Sequence, residues 1–142
     1  MNYKILLFTT LIAVFFCNAN LMAQTTRVHQ SFNLSGIDNI TIDIAYPYTI
    51  EKWDGNTILL ETSIDIDNAP PSLIKMFLES GRYEVIQQEK NSTIKYTLQS
   101  MNRKEVLTSK GPCTEKIELH FYVPKNVTVR SLGNFVDTKN LE

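Results

Sequence analysis

The dominant period of the chain is two. Ile40, Ile42 and Ile44 alternate with Thr41 and Asp43, and Ile58, Leu60, Thr62, Ile64 and Ile66 alternate with Leu59, Glu61, Ser63 and Asp65. Successive strand residues point to opposite faces, so such alternation puts one apolar row on a core and one polar row toward water. The same signal returns at Ile94, Tyr96 and Leu98, at Ile117, Leu119, Phe121 and Val123, and at Val127 with Val129. Turn residues separate these runs at Ser35-Gly36, Asp54-Gly55, Lys90-Asn91-Ser92, Gly111-Pro112 and Pro124-Lys125-Asn126. Asp-Gly between two alternating segments is a strong short hairpin signal. It predicts a hairpin in which Trp53 closes the incoming strand and Asp54-Gly55 take φ values that few other residues accept. A sugar-stacking role for an exposed Trp53 is the alternative.

One segment departs from this period. In APPSLIKMFLESGR, Leu73, Ile74, Phe77 and Leu78 form one helical stripe after Pro70-Pro71, with Ser72 as N-cap and Gly81 as the closing residue. A helix over about 72–80 follows, its stripe lying on the sheet. Residues 99–115 are polar, lack a steady period and read as a mobile loop. The fold class expected is therefore mostly β: short antiparallel strands in a sandwich-like or β-solenoid-like stack with one short helix.

The first residues add a compartment. Lys4 precedes an apolar run from Ile5 to Cys17, broken only by Thr9 and Thr10, and Ala19 and Ala23 offer small residues for cleavage. This is the layout of a secretory signal peptide over 1–23, too short for the roughly 20 apolar residues of a spanning helix. Membrane contact is then expected only through an uncleaved leader. Phe15-Phe16 stand where a lipoprotein signal at Cys17 would have small residues. Residues 24–142 form one β-rich domain in this reading, exported to the periplasm, the outer surface or the medium. Loss of Lys4 takes the net charge from −1 to −2, which gives no field for nucleic acid. Only Cys113 survives cleavage, so no internal disulfide holds the domain.

Candidate chemistry is sparse. The two histidines, His29 and His120, lie far apart in sequence without a Gly-x-Ser-x-Gly elbow, and Cys113 has no signal of an activated thiolate. There is no His-x-x-x-His pair or Cys pair for zinc, and Asp65 with Asp67 lacks the remainder of a calcium loop. Gly36, Gly55, Gly81, Gly111 and Gly133 stand alone rather than in a phosphate loop. Asn-x-Ser/Thr triplets begin at Asn33, Asn39, Asn91 and Asn126. The reading assigns no catalytic residue, no cofactor and no metal, and leaves the binding residues unknown.

Residues 31–64 and 116–132 carry a pattern. Phe32, Gly36, Ile37, Ile40 and Ile42 form an opening; Trp53, Asp54 and Gly55 form a turn; Val123, Pro124, Val127 and Val129 form a later strand entry. This resembles exported adhesin-type proteins with a head GIN domain, frequent in Bacteroidetes, and related adhesin-like β-solenoid domains. The resemblance covers about 28–66 and 116–142. It implies a non-catalytic module that binds a surface, a glycan or a protein. The segment 67–115 has no counterpart in the pattern, and SLGNFVDTKNLE falls where repeated rungs begin, with Gly133 turning and Phe135 pointing inward. An end there leaves a strand edge open to self-association or to a partner, or marks a fragment of a longer exported protein. Two other readings stay open. One is a small-ligand carrier with Leu73, Ile74, Phe77 and Leu78 over a cavity; the other is a glycan hydrolase using Asp43, Glu61 and Asp65. Passage through an export pathway should yield a chain whose N-terminal residue is Gln24. Intact-mass measurement checks this, and a retained Met1 or a lipid on Cys17 would contradict it.

Overall fold

The computed structural model describes residues 25–99 and 104–133 and the backbone of 136–138. The expected leader over 1–23 and Phe135 lie outside the described residues. The described residues form eleven strands and one helix: β1 (Thr26–Asn33), β2 (Asn39–Ile42), β3 (Tyr48–Trp53), β4 (Thr57–Asp67), α1 (Pro71–Glu79), β5 (Val85–Lys90), β6 (Thr93–Leu98), β7 (Leu107–Thr108), β8 (Gly111–Pro112), β9 (Thr114–Pro124), β10 (Thr128–Ser131) and β11 (Val136–Thr138). A five-stranded sheet in the order β1-β4-β9-β3-β11 faces a four-stranded sheet in the order β10-β2-β6-β5, and β7 and β8 form a small ribbon. The mostly-β, sandwich-like expectation with one short helix stands.

Alternation places the apolar rows between the sheets. Ile42, Ile58, Ile94, Tyr96, Phe121 and Val123 are fully buried. Tyr96 of the four-stranded sheet meets Phe32 edge-on at 5.0 Å and Phe121 at 6.0 Å, both from the opposite sheet. Burial pushes the Tyr96 phenol well above its ordinary pKa, and its hydroxyl donates to Gln87 Oε1 at 3.3 Å.

Antiparallel pairing holds for β1/β4, β4/β9 and β5/β6, whereas β2/β6, β2/β10, β3/β9 and β3/β11 run parallel. Alternation reports which face a residue takes and is silent on strand direction, which explains the difference. The arch β2–β3 is flanked on one side by β6 and β9 and on the other by β10 and β11, all in parallel register. Three two-strand rungs are thus stacked. After β10 the chain turns at Gly133 beside the corner 43–47 of the arch. Gly133 sits there against the Ile44 carbonyl, and a Cβ would fall 2.5 Å from that oxygen. The glycine is required by close approach.

The expected Trp53-Asp54-Gly55 hairpin is corrected: β3 and β4 are not partners, because β9 lies between them. Residues 54–56 arch over the end of β9, spanning two ladder spacings of about 4.8 Å each. Neither Asp54 nor Gly55 has positive φ. The two-residue hairpin lies instead between β5 and β6, where Lys90 pairs with Thr93 around Asn91 and Ser92 at φ 51 and 57, a type I′ geometry.

The helix starts one residue before its expected position. Pro70 is the N-cap, with its carbonyl accepting from Leu73 and Ile74, and Ser72 makes no capping bond. Pro71 at N1 has no N–H to satisfy. At the other end Arg82 N donates to the Phe77 carbonyl and Gly81 N to that of Leu78, with Gly81 at φ 68, a Schellman closure as expected from Gly81. The segment 67–115 is the crossover that carries the chain from β4 to the β6–β9 rung. It is anchored by Arg82, whose Nε donates to both Glu115 oxygens at 3.1 and 3.2 Å while the guanidinium lies 4.4 Å over the Phe77 ring. The hydrogen bonds to Glu115 raise Arg82 further above its ordinary pKa. The expected loop therefore contains an ordered ribbon over 107–112.

Thr62 is fully buried within the apolar row of β4, and its hydroxyl has no hydrogen-bond partner among the described residues. An unpaired buried hydroxyl costs about 1–3 kcal/mol. Thr62→Val, which keeps the shape, should stabilise the protein by about 1 kcal/mol, read as a higher urea midpoint at unchanged slope. A lower midpoint would show that the hydroxyl is satisfied in solution.

Candidate functional site

At one end of the sandwich the segments 33–38, 54–56 and 124–127 meet. Each is held by its own local bonds. Asn33 Oδ1 accepts from Ser35 N at 2.9 Å, and Ile37 N donates to the Leu34 carbonyl at 2.8 Å, with Ser35 and Gly36 both at positive φ. Lys125 N donates to the Trp53 carbonyl at 3.2 Å, Val127 N to that of Pro124 at 3.0 Å, and Thr128 N to that of Asp38 at 2.7 Å. Lys52 Nζ bonds the Val127 carbonyl, and burial lowers the Lys52 pKa from its ordinary value. The Lys125–Asp54 pair at 2.8 Å is exposed, so it contributes little.

Trp53 explains its neighbour. Its indole lies over Gly55, where a Cβ would fall 2.1 Å from the ring, and Nε1 donates to the Thr57 carbonyl at 3.1 Å. The half-buried ring thus packs the arch over β9, and Gly55 is required by contact rather than by backbone angle.

Between the three loops opens a cleft of about 200 Å³. Its polar lining is Asn33, Ser35, Asp38, Asn56 and Asn126, over a floor that includes Leu34, Ile37 and Pro124. Carboxamides and a hydroxyl both donate and accept hydrogen bonds. Such a set suits a neutral polyhydroxylated group better than an ion. The volume lies below the roughly 300–1,000 Å³ of pockets that enclose a drug-sized ligand, so the cleft fits a terminal group.

The residues weighed for other chemistry are placed elsewhere. Both histidines come to one row on the outer face of the five-stranded sheet, with His29 opposite Glu61 and Glu61 opposite His120. His29 Nδ1 is 3.8 Å from Glu61, and His120 Nε2 is 3.1 Å from Glu51. His120 stacks on Tyr122 at 4.4 Å. Cys113 is far from this row, its Sγ 3.8 Å from the Asn68 carbonyl beside β8. Asp43 pairs with Lys95 at 2.6 Å on the four-stranded sheet, whereas Glu61 and Asp65 lie four residues apart on β4, about 13 Å of strand. The structure does not bring Asp43, Glu61 and Asp65 together. Asp65 lies opposite Lys116, and no group of three or more metal-ligating side chains forms among the described residues.

The helix stripe packs on the core through Phe77, with Leu73 and Leu78 partly buried beside it. Phe77 is buried against Tyr83, with ring centroids 6.4 Å apart, and the shallow groove nearby takes only Leu78 from the helix. Among the described residues no helix is long and apolar enough to cross a membrane. Sequence reasoning did not single out Asp38 or Asn56; their only local signal is that they flank Gly36 and Gly55. No match to this chain is found among known protein families, curated proteins or solved structures.

Removing the Trp53 ring should cost stability. Trp53→Ala is expected to destabilise by about 2 kcal/mol, roughly half the loss for a fully buried aromatic, read from urea unfolding. Unchanged stability would mean that the ring is not packed over Gly55.

Proposed function

We propose that this chain is an exported, non-catalytic adhesin-like β module that holds a terminal sugar of a surface glycan in the cleft between 33–38, 54–56 and 124–127. One observation carries the reading. The three segments on which the adhesin resemblance rests, separated by up to ninety residues of sequence, meet around one cleft whose polar groups are carboxamides, a hydroxyl and a single carboxylate. In this reading Asn56 and Asn126 make bidentate amide contacts to vicinal hydroxyls, Asn33 donates through Nδ2 while its Oδ1 stays on Ser35 N, Asp38 accepts from a further hydroxyl, and the apolar floor meets the face of the ring. Recognition by a rigid loop cluster on a sheet scaffold needs little ordering on binding.

A second surface has its own observation. The stacked His120–Tyr122 pair on the open sheet face, flanked by Glu51, offers a flat platform for a sugar ring. The two surfaces separate experimentally. Glycan-array binding followed by titration calorimetry should give a ligand whose affinity falls at least tenfold, about 1.4 kcal/mol, in the double variant Asn56→Ala with Asn126→Ala, at an unchanged urea midpoint. Loss in Tyr122→Ala instead moves the site to the sheet face. Cleavage of the bound glycan, or binding indifferent to both surfaces, would overturn the proposal.

A further inference from the structure

Carboxamides donate and accept equally well, so Asn33, Asn56 and Asn126 place no sign of charge on what enters the cleft. Asp38 does. Among the described residues that line the cleft it alone carries a charge. Its side chain is exposed, with Oδ1 accepting from Asn39 Nδ2 at 2.8 Å, and its backbone carbonyl is held by Thr128 N. The segment is thus fixed through its backbone while the carboxylate faces solvent.

The groups that would hold an anion at this end are engaged elsewhere. Turn amides are common anion holders, but Ser35 N is on Asn33 Oδ1, and Ile37 N, Lys125 N and Val127 N are on the carbonyls of Leu34, Trp53 and Pro124. The two lysines of the adjoining segments do not line the cleft. Lys125 pairs with Asp54 at 2.8 Å, and Lys52 Nζ donates to the Val127 carbonyl. The charge that a ligand meets in the cleft is therefore negative.

We propose that the cleft selects an amino sugar, with the ammonium group on the Asp38 carboxylate in place of the hydroxyl there, and disfavours sugars that bear a carboxylate, sulfate or phosphate. This rests on the assignment of the cleft as the glycan site. A bare ion meets only one charged ligand there, whereas an ammonium on a sugar ring keeps the amide contacts and the apolar floor and adds a charge-assisted hydrogen bond. Acetylation of the amine removes that charge and adds bulk in a cleft of only about 200 Å³. Asp38 is thus the residue that determines specificity, and the asparagines hold the ring whatever its charge.

The test uses the whole chain in the form that export leaves. The probes are the methyl glycosides of glucose, galactose and mannose, their 2-amino derivatives and their uronic acids, titrated by nuclear magnetic resonance with the side-chain amides of Asn56 and Asn126 as reporters. At low salt at least one 2-amino glycoside should bind about fivefold tighter than its neutral parent, as expected for an exposed ion pair, and the matching uronic acid more weakly than that parent. Near 1 M salt, where the screening length is about 3 Å, the preference should fall below about twofold. In Asp38→Asn the amino and neutral forms should bind alike, with a urea curve that shows the fold intact. Equal affinity for amino and neutral forms in the wild type, or a preference that survives Asp38→Asn, would overturn the proposal while leaving the cleft as the glycan site. Absence of any shift at Asn56 and Asn126 with every glycoside would overturn both.

Discussion

A parallel ladder cannot be closed by a tight turn, and both strands of the β2–β3 arch have parallel partners on either side. The rest of the structure is arranged around that constraint. To place β6 and β9 beside the arch, the chain must leave it, run back through β4, and cross over through α1 and the β5–β6 hairpin before β9 inserts between β3 and β4. The helix, the ribbon and the Arg82–Glu115 pair are the fittings of this crossover. Arg82 and Glu115 are 33 residues apart in sequence and largely buried, with Phe77 beneath the guanidinium, so the pair fixes where the crossover ends and β9 begins. Breaking one partner of such a pair costs far more than the pair contributes as a whole.

The arch also decides where chemistry is available. Its return loops and the arch over β9 bring residues 33–38, 54–56 and 124–127 to one end, where short loops without regular pairing leave carboxamides free to face solvent. The sheet faces are covered differently. The inner rows are consumed by the core, including the Tyr96 ring between Phe32 and Phe121, and the outer face of the five-stranded sheet carries the solvent-accessible pairs His29–Glu61 and His120–Glu51. Exposed pairs of this kind add little stability, so that row is open to substitution without loss of fold. The cleft is less tolerant, since Gly36 needs its positive φ and Gly55 its contact with Trp53.

Much of this was legible in the residues. Period-two alternation located β2, β4, β6 and β9 and the buried side of each, and the Pro-Pro opening with Gly81 bracketed the helix to within a residue. Strand direction was not legible, because parallel and antiparallel strands pleat alike, and β3 beside β9 could not be told from β3 beside β4. That is why Asp54-Gly55 read as a hairpin: the local signal was correct for a tight reversal and blind to a strand arriving sixty residues later. Lys90-Asn91-Ser92, a weaker signal, marked the tight hairpin because no strand inserts there. The cleft was half legible. Gly36, Gly55, Pro124 and Asn126 were visible as turn residues and Asn33 only as the start of an Asn-x-Ser triplet, but only the register of β2 and β3 with β10 and β9 brings those segments together.

Cross-strand nuclear Overhauser contacts at Phe121 test the stacked-arch architecture most directly. The account predicts backbone contacts from Phe121 to Ile50 on one side and to Leu60 on the other, together with contacts of Ile40 to both Ile94 and Val129. Direct ladder contacts between β3 and β4 across Asp54-Gly55, with Phe121 absent from between them, would contradict it.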